Sequence, residues 1–306
     1  MIKKIYFVEK SIPFNANDLQ AKMLGGTEKT LINIVNELGK NNNFIIKVFN
    51  LSDDEININN VTWTNITNIY EADEPDFLIS FSDANLLSLI KAKKKFLWSH
   101  SIQTIEKFIR KGQFFAFYKN KPIVILEGKY HFNNRNIITS FFGKKILKLA
   151  PDYKFVNTEV EIDVLPKKNA IFTSRSDRNL DILIECWKII SKKVSDCSLY
   201  INPPYNLSNE EKNMNIKIRE KGDTNKLIDD LIKSRIMLNP GHKGEVYCLA
   251  AEEARELCIP IVTMGYGSLY ERVEHGVTGY IANNKNEFIN YSIDLMNNDK
   301  LYSKIR

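Results

Sequence analysis

Long apolar runs are missing from this sequence. No uninterrupted stretch of about 20 apolar residues is available to span a bilayer, and the opening Met1-Ile-Lys-Lys-Ile-Tyr-Phe-Val-Glu has too short an apolar core for a secretory signal. Residence in the cytoplasm is the expectation. Cysteine is sparse as well: Cys186, Cys197, Cys248 and Cys258 form no Cys-x-x-Cys pair and all lie in apolar segments of the second half. That pattern predicts reduced, buried thiols and argues against a disulfide framework or structural zinc. Zinc-finger spacing, an RNP-like aromatic strand and Gly-rich basic repeats are also absent, so nucleic acid is not an expected partner. The chain lacks the Gly-x-x-x-x-Gly-Lys-Ser/Thr loop of ordinary ATPases.

What is present is an ordinary globular composition, 43% hydrophobic and 26% charged, over 306 residues. That length suits two domains of about 150 residues or one large unit. Short β-like runs alternate with longer segments of helical period, the pattern of parallel sheets covered by helices, so the class is α/β. In the first half the strand candidates are Ile5–Val8, Phe44–Phe49, Phe77–Phe81, Phe96–His100 and Ile123–Glu127, with helices at Leu31–Leu38 and Leu86–Ala92. The alternation breaks near Leu149-Ala-Pro-Asp-Tyr and restarts with strand Ala170–Ser174, helix Leu180–Val194 and strands Ser198–Ile201 and Ile216–Arg219. Helix Asn225–Lys233, strand Ile236–Asn239, helix Tyr247–Leu257, strand Pro260–Met264 and helix Leu269–Glu274 follow. Two doubly wound, Rossmann-like domains are therefore expected, residues 1–150 and 151–306, facing each other across a cleft. Because open parallel sheets bind ligands beyond the carboxyl ends of their strands, the loops after strands are where chemistry is expected.

Charge is uneven. Residues 1–150 hold 21 Lys+Arg against 14 Asp+Glu, leaving 22 against 23 for the rest, and between Lys91 and Lys148 there are 14 basic residues against only Glu106 and Glu127. Such a span either faces solvent in a Lys-rich chain or meets an anionic neighbour, such as a phosphorylated acceptor or a membrane surface.

The most informative stretch runs from Asn239-Pro-Gly-His-Lys-Gly-Glu-Val-Tyr-Cys to Cys258-Ile-Pro-Ile-Val-Thr. A strand ends, a Gly-containing loop follows, and a helix is predicted to open near Glu245, placing that carboxylate among backbone N–H groups at a helix start. Glu253 lies eight residues on; in a continuous helix that is about 80° beyond two full turns and ~12 Å along the axis. After the next strand comes Gly265-Tyr-Gly-Ser-Leu-Tyr-Glu-Arg-Val-Glu-His-Gly-Val-Thr-Gly. There Gly265 and Gly267 let the backbone approach a pyrophosphate, with the N–H groups of Ser268 and Leu269 predicted to point at it.

The ordered series Glu245, Glu253, Gly267, Glu271 and Gly279 resembles the Glu, seven residues, Glu motif and the Gly-rich turn of retaining GT-B glycosyltransferases, family 4 in the sequence classification (group 1). Upstream, Thr173-Ser-Arg-Ser-Asp-Arg-Asn-Leu is similar to the family's Arg and Lys-Gly segment, with Arg175 and Arg178 in the places of the two diphosphate-binding cations; Arg178-Asn179 departs from the usual Lys-Gly. For Arg175 or Arg178 the alternative is a surface pair with Asp177 or Asp181. Leu24-Gly-Gly-Thr-Glu resembles the loop before the family's first helix, where Gly25 and Gly26 would approach the donor phosphate and the acceptor while Thr27 caps the helix. His100, closing Phe96-Leu-Trp-Ser-His, matches a family His that contacts the transferred sugar; His131, His242 and His275 have no such support.

The resemblance implies transfer of a sugar from a nucleotide diphosphate sugar to an acceptor hydroxyl, with retention and with no metal or other cofactor. The N-terminal domain would serve the acceptor and the C-terminal domain the donor. It implies catalytic roles for Glu245, His100 and Arg178, and donor contacts at Gly25, Gly26, Arg175, Arg178, Glu245, Val246, Tyr247, Glu253, Gly267, Ser268 and Leu269. Glu253 would bind the ribose and Glu245 the donor-sugar hydroxyls. Asp83 and the Ser52-Asp-Asp-Glu55 run read as caps and loop charges rather than metal ligands. The acceptor, expected to be a glycan, lipid or other glycoconjugate, would be anionic or membrane-associated if the basic span meets it. A sugar-nucleotide epimerase or phosphorylase of the same architecture, and a decayed nucleotide-sugar-binding scaffold, are the alternatives.

Overall fold

The computed structural model describes residues 2–21, 24–220 and 222–306. Two compact units divide the chain, Met1–Leu149 and Ala150–Arg306. Both are built on parallel sheets. Strands buried on both faces need apolar side chains at every position rather than at alternate ones, which is why their runs read as continuous.

In the first unit the strands are β1 (Lys3–Val8), β2 (Phe44–Asn50), β3 (Ile56–Ile58), β4 (Val61–Asn65), β5 (Phe77–Phe81), β6 (Lys94–Trp98), β7 (Ile123–Leu126) and β8 (Lys144–Ile146). Their order is β3-β4-β2-β1-β5-β6-β7-β8, and all neighbours are parallel except the β3–β4 hairpin. Along β1, Ile5 and Phe7 join one core with Leu31, Ile32 and Val35 of helix Gly26–Gly39. Tyr6 and Val8 face the other core, with Leu78, Leu97 and Phe117. The period of two along the strand thus feeds two cores from one run.

The second unit has β9 (Asn169–Phe172), β10 (Ser198–Ile201), β11 (Ile216–Ile218), β12 (Ile236–Leu238), β13 (Ile261–Thr263) and β14 (Gly279–Ile281), in the order β11-β10-β9-β12-β13-β14. Helix Leu180–Lys193 buries Leu180, Leu183, Cys186, Trp187 and Ile190, one stripe of i, i+3, i+4 spacing. It packs with Ala170 and Phe172 of β9, while Ile171 turns to the opposite core with Met237 and Leu257. Each such buried aliphatic side chain contributes about 1.5–3 kcal/mol relative to exposure. At Gly279 a Cβ would stand 1.9 Å from the Ile261 carbonyl oxygen across the β13–β14 pair, so only glycine permits that register.

Several expectations are corrected. Leu86–Ala92 is not an α-helix: the segment is a 3-10 turn, Ala84–Ser88, capped by Asp83, because the chain must straighten to enter β6 at Lys94. In place of the helix expected at Leu269–Glu274 there is likewise a 3-10 turn, Gly267–Glu271. The β3–β4 hairpin was not foreseen, although Asn59-Asn60 is a signal for it: both residues have positive φ, 54° and 63°, as a tight two-residue turn requires. Three cysteines are buried, but Cys258 is exposed. No helix among the described residues is long and apolar enough to cross a membrane.

Candidate active site

In the second sheet the chain leaves β9 toward β10 and β11, then returns on the other side to β12. The carboxyl ends of β9 and β12 therefore border the switch point at which open α/β sheets bind ligands. Three loops meet there. Asn239, 1% exposed, fixes the first two: its amide donates to Ser174 Oγ at 3.1 Å, and its Oδ1 accepts the Gly241 N–H at 3.0 Å. Asn179 Nδ2 donates to the Gly241 carbonyl at 2.6 Å. The third loop packs on the second through missing side chains: a Cβ on Gly267 would lie 2.3 Å from the His242 carbonyl oxygen and 2.8 Å from that of Glu245. The Ser268 N–H donates to the Glu245 carbonyl at 3.0 Å.

On this scaffold the structure brings Arg178, His242 and Glu245 together. Arg178 Nη1 is 3.0 Å from His242 Nδ1, which also accepts the Gly244 N–H at 3.0 Å. An Nδ1 that accepts a main-chain N–H carries no proton, so this network assigns the hydrogen to Nε2. Burial raises the Glu245 carboxyl above its ordinary range; the Arg178 charge opposes this most, followed by a hydrogen bond with Cys248. One carboxylate oxygen, Oε2, is buried with no partner among the described residues. Burial also pushes the Cys248 thiol far up. A guanidinium beside a carboxylate with spare acceptor capacity can hold a polar, partly anionic ligand by opposite ends.

Arg175 behaves differently. It pairs with Asp177 through Nε at 3.0 Å, its side chain is 73% exposed, and the Asp177 carboxyl is lowered chiefly by that bond. The surface pair weighed against phosphate binding is thus formed at Arg175, whereas Arg178, 22% exposed, keeps only a longer contact of 3.8 Å with Asp177.

The helix expected to open at Glu245 begins at Leu249 and ends at Glu256, after Cys248 at φ 63°. A left-handed residue cannot continue an α-helix, so Glu245 lies in the loop and not in a first helical turn. The spacing of ~12 Å computed for a continuous helix does not apply to Glu245 and Glu253. Glu253 is half-buried on that helix. Val246 and Tyr247 are each 5% exposed, their side chains inside the unit. The Ser268 N–H, expected to face a phosphate, is taken by Glu245; Gly267, Ser268 and Leu269 are all buried.

Arg272 was missed. Only 5% exposed, it donates to the Tyr247 carbonyl at 2.8 Å and to Glu252 Oε1 at 2.8 Å, and it lies 4.0 Å over the Tyr247 ring. It locks the Glu245 loop to the helix that follows.

In the first unit His100 stands two residues beyond β6. Its ring stacks at 4.9 Å on Phe81 and at 5.3 Å on Trp98, its main-chain N–H donates to Ser82 Oγ at 3.1 Å, and Nδ1 meets the Glu127 carboxylate. Nε2 is buried without a partner among the described residues. Glu127 and His131 were not foreseen as its neighbours, yet Glu127 directly follows β7, the next strand in the sheet, and so had to lie beside it. The Glu127 N–H donates to His131 Nδ1 at 3.2 Å.

Burial lowers His131 to about 4 from its ordinary 6.5. An unfolded chain therefore binds the proton first as the pH falls. Stability should be complete above pH 6.5 and decline toward pH 4, by about 3 kcal/mol from this residue. Urea unfolding of the His131→Gln variant should show a shallower loss over that window than the parent.

Gly25 is the N-cap of helix Gly26–Gly39, without a side-chain cap, and Thr27 lies inside the helix rather than capping it. Glu28 folds back over the cap: its Oε2 is 2.5 Å from where a Gly25 Cβ would be, while Oε1 accepts from Ser11 at 3.1 Å. Glu9, 5% exposed, accepts the Ser11 N–H and is raised by burial. A donor phosphate at Gly25 and Gly26, as expected from the sequence, would meet carboxylates that already hold this helix start.

Residues 165–306 match the family profile described as glycosyl transferases group 1. Among solved structures, Anabaena Alr3699/HepE in complex with UDP-glucose superposes with a TM-score of 0.72 at 14% identity, covering 99% of this chain and 92% of that one. Sucrose-phosphate synthase from Thermosynechococcus elongatus gives 0.73 at 10% identity, covering 98% and 92%. S. aureus TarM, in complex with fondaparinux, alpha-GlcNAc-glycerol and UDP, gives 0.55 at 18% identity over 75% of this chain; the match spans only 50% of the TarM chain. No curated protein matches the sequence. The fold is that of the GT-B glycosyltransferases. The family match falls within the second unit.

Proposed function

We propose that this protein is a retaining glycosyltransferase that moves a sugar from a nucleotide diphosphate sugar to an acceptor hydroxyl. The second unit serves the donor and the first the acceptor. The observation that carries the reading is the convergence of Arg178 and Glu245 on loops stitched together at the carboxyl ends of β9, β12 and β13. In the reaction the bond between the anomeric carbon and the diphosphate oxygen breaks and one to the acceptor oxygen forms. The acceptor's proton passes to the leaving phosphate oxygen. Negative charge grows on the diphosphate, and a fixed guanidinium at Arg178 stabilises it without reorganising. Glu245 accepts hydrogen bonds from donor-sugar hydroxyls through its spare oxygen, Glu253 holds the ribose, and His100 contacts a sugar hydroxyl. Nothing in this scheme requires a metal.

The UDP complexes of the similar structures make UDP-sugars the first donors to screen. A bound donor should raise the melting temperature by mass action, and UDP release in the presence of acceptor alcohols reads the transfer. Arg178→Ala should weaken UDP binding about 10- to 100-fold, the loss of one charge-assisted contact. Arg175→Ala, which removes a group already engaged by Asp177, should cost less than about threefold. Titration calorimetry on both variants checks this, and equal losses would reject the assignment of Arg178.

A further inference from the structure

Outside the groups described above, the first unit carries an amphipathic pair of short helices, Ile105–Arg110 and Gln113–Asn120. Their inner residues suffice to dock them: Phe108 and Phe117 are fully buried and meet edge to face at 5.0 Å, and Phe117 meets Phe142 at 4.3 Å. Their outer residues are apolar too. Ile109 is 64% exposed, Phe115 82% and Tyr118 67%, and Phe141, next to Phe142, is 81% exposed. Phe115 and Tyr118 are three positions apart and so share one helix face.

Arg110, Lys111, Lys119 and Lys121 are all exposed, and Glu106 is the lone acid in residues 105–121. No carboxylate is recorded against these four cations among the described residues; instead Arg110 and Lys111 repel Lys107, and Lys119 repels Lys95. Lys119 and Lys121 also line an open groove with Lys93, Lys94 and Lys95. Rings held in water beside uncompensated cations are costly in isolation, and both costs are relieved by one kind of surface.

We propose that helices Ile105–Arg110 and Gln113–Asn120 seat the protein on an anionic lipid bilayer. Ile109, Phe115, Tyr118 and Phe141 enter the boundary between headgroups and acyl chains, and Arg110, Lys111, Lys119 and Lys121 meet lipid phosphates. A free anion would make no use of the apolar side chains. A second copy of the chain would bring like charges face to face. Interfacial helices combine apolar and aromatic residues with Lys and Arg in this way, each cation adding attraction to an anionic leaflet. The inference is independent of the donor reading, because binding needs no nucleotide sugar.

The test is sedimentation of the full chain with phosphatidylcholine vesicles, with and without a third of phosphatidylglycerol. Binding is expected only to the anionic vesicles and should be lost at high salt. The pair Phe115→Ser with Tyr118→Ser and the pair Lys111→Glu with Lys119→Glu should each weaken it at least about tenfold. Both pairs sit at exposed positions, so the melting temperature should hold. A wild-type chain that stays in the supernatant with anionic vesicles would overturn the proposal, as would charge and ring variants that bind as tightly as the parent. Sedimentation velocity showing a dimer that the ring variant dissociates would overturn it in favour of a copy interface.

Discussion

Replacing Glu245 by Gln should lower glycosyl transfer by about 100- to 1000-fold while leaving the fold intact or slightly more stable. The two effects have one cause. Glu245 is held in a poorly solvated loop, opposed by Arg178 but with Oε2 unpartnered among the described residues, and its carboxyl is raised by burial. Free of donor, that charge is a burden. Between the unfolded value of 4.5 and the higher folded value, the folded state binds more protons, so stability falls as pH rises through that window and the loss persists at neutral pH. Gln removes the burden and also the anionic acceptor that donor-sugar hydroxyls would use. At pH 7 the variant should melt at or above the parent temperature, with the difference closing below pH 4.5. Added UDP-sugar should stabilise the parent more than the variant. A variant that transfers sugar at the parent rate would remove Glu245 from the site.

The sheets were readable from the sequence because a strand buried on both faces leaves an apolar run that little else produces, as at Ile5–Val8 and Ser198–Ile201. The helix after the Glu245 loop was read too long for a physical reason. Val246-Tyr-Cys-Leu has no residue that forbids helix, and what stops it is tertiary: Arg272 holds the Tyr247 carbonyl and Cys248 is forced to φ 63°. The partners of the candidate side chains were hidden for a related reason. Arg178 and His242 are 64 residues apart and meet only because β12 returns beside β9. His100 and Glu127 meet because β6 and β7 are neighbours. Strand order, which no local pattern encodes, decides which loop ends face each other. The glycines, by contrast, carried their message locally, since a Gly-x-Gly turn after a strand already implies close backbone approach.

Gly267 shows how much depends on that approach. Gly267→Ala is expected to destabilise the second unit by about 3 kcal/mol and to abolish detectable transfer. Two terms add. The residue has φ 68°, where a side chain is strained, and its Cβ would stand 2.3 Å from the His242 carbonyl oxygen and 2.8 Å from that of Glu245. Both obstacles are main-chain atoms and cannot swing aside as a flexible side chain would. The loops must part, and parting them stretches the bond from the Ser268 N–H to the Glu245 carbonyl, which sets where that carboxylate stands. His242, the partner of Arg178, moves with the same loop. The Gly276→Ala change offers the control: φ is also positive, at 79°, but no atom lies within 4 Å of the new Cβ, so strain remains without collision. It should cost only the conformational part, about 1 kcal/mol, and retain transfer. Chemical unfolding and UDP release measured on the two variants together separate backbone strain from loop separation; equal losses of transfer would mean that the contact between the Gly267 and Glu245 loops does not set the geometry of the site.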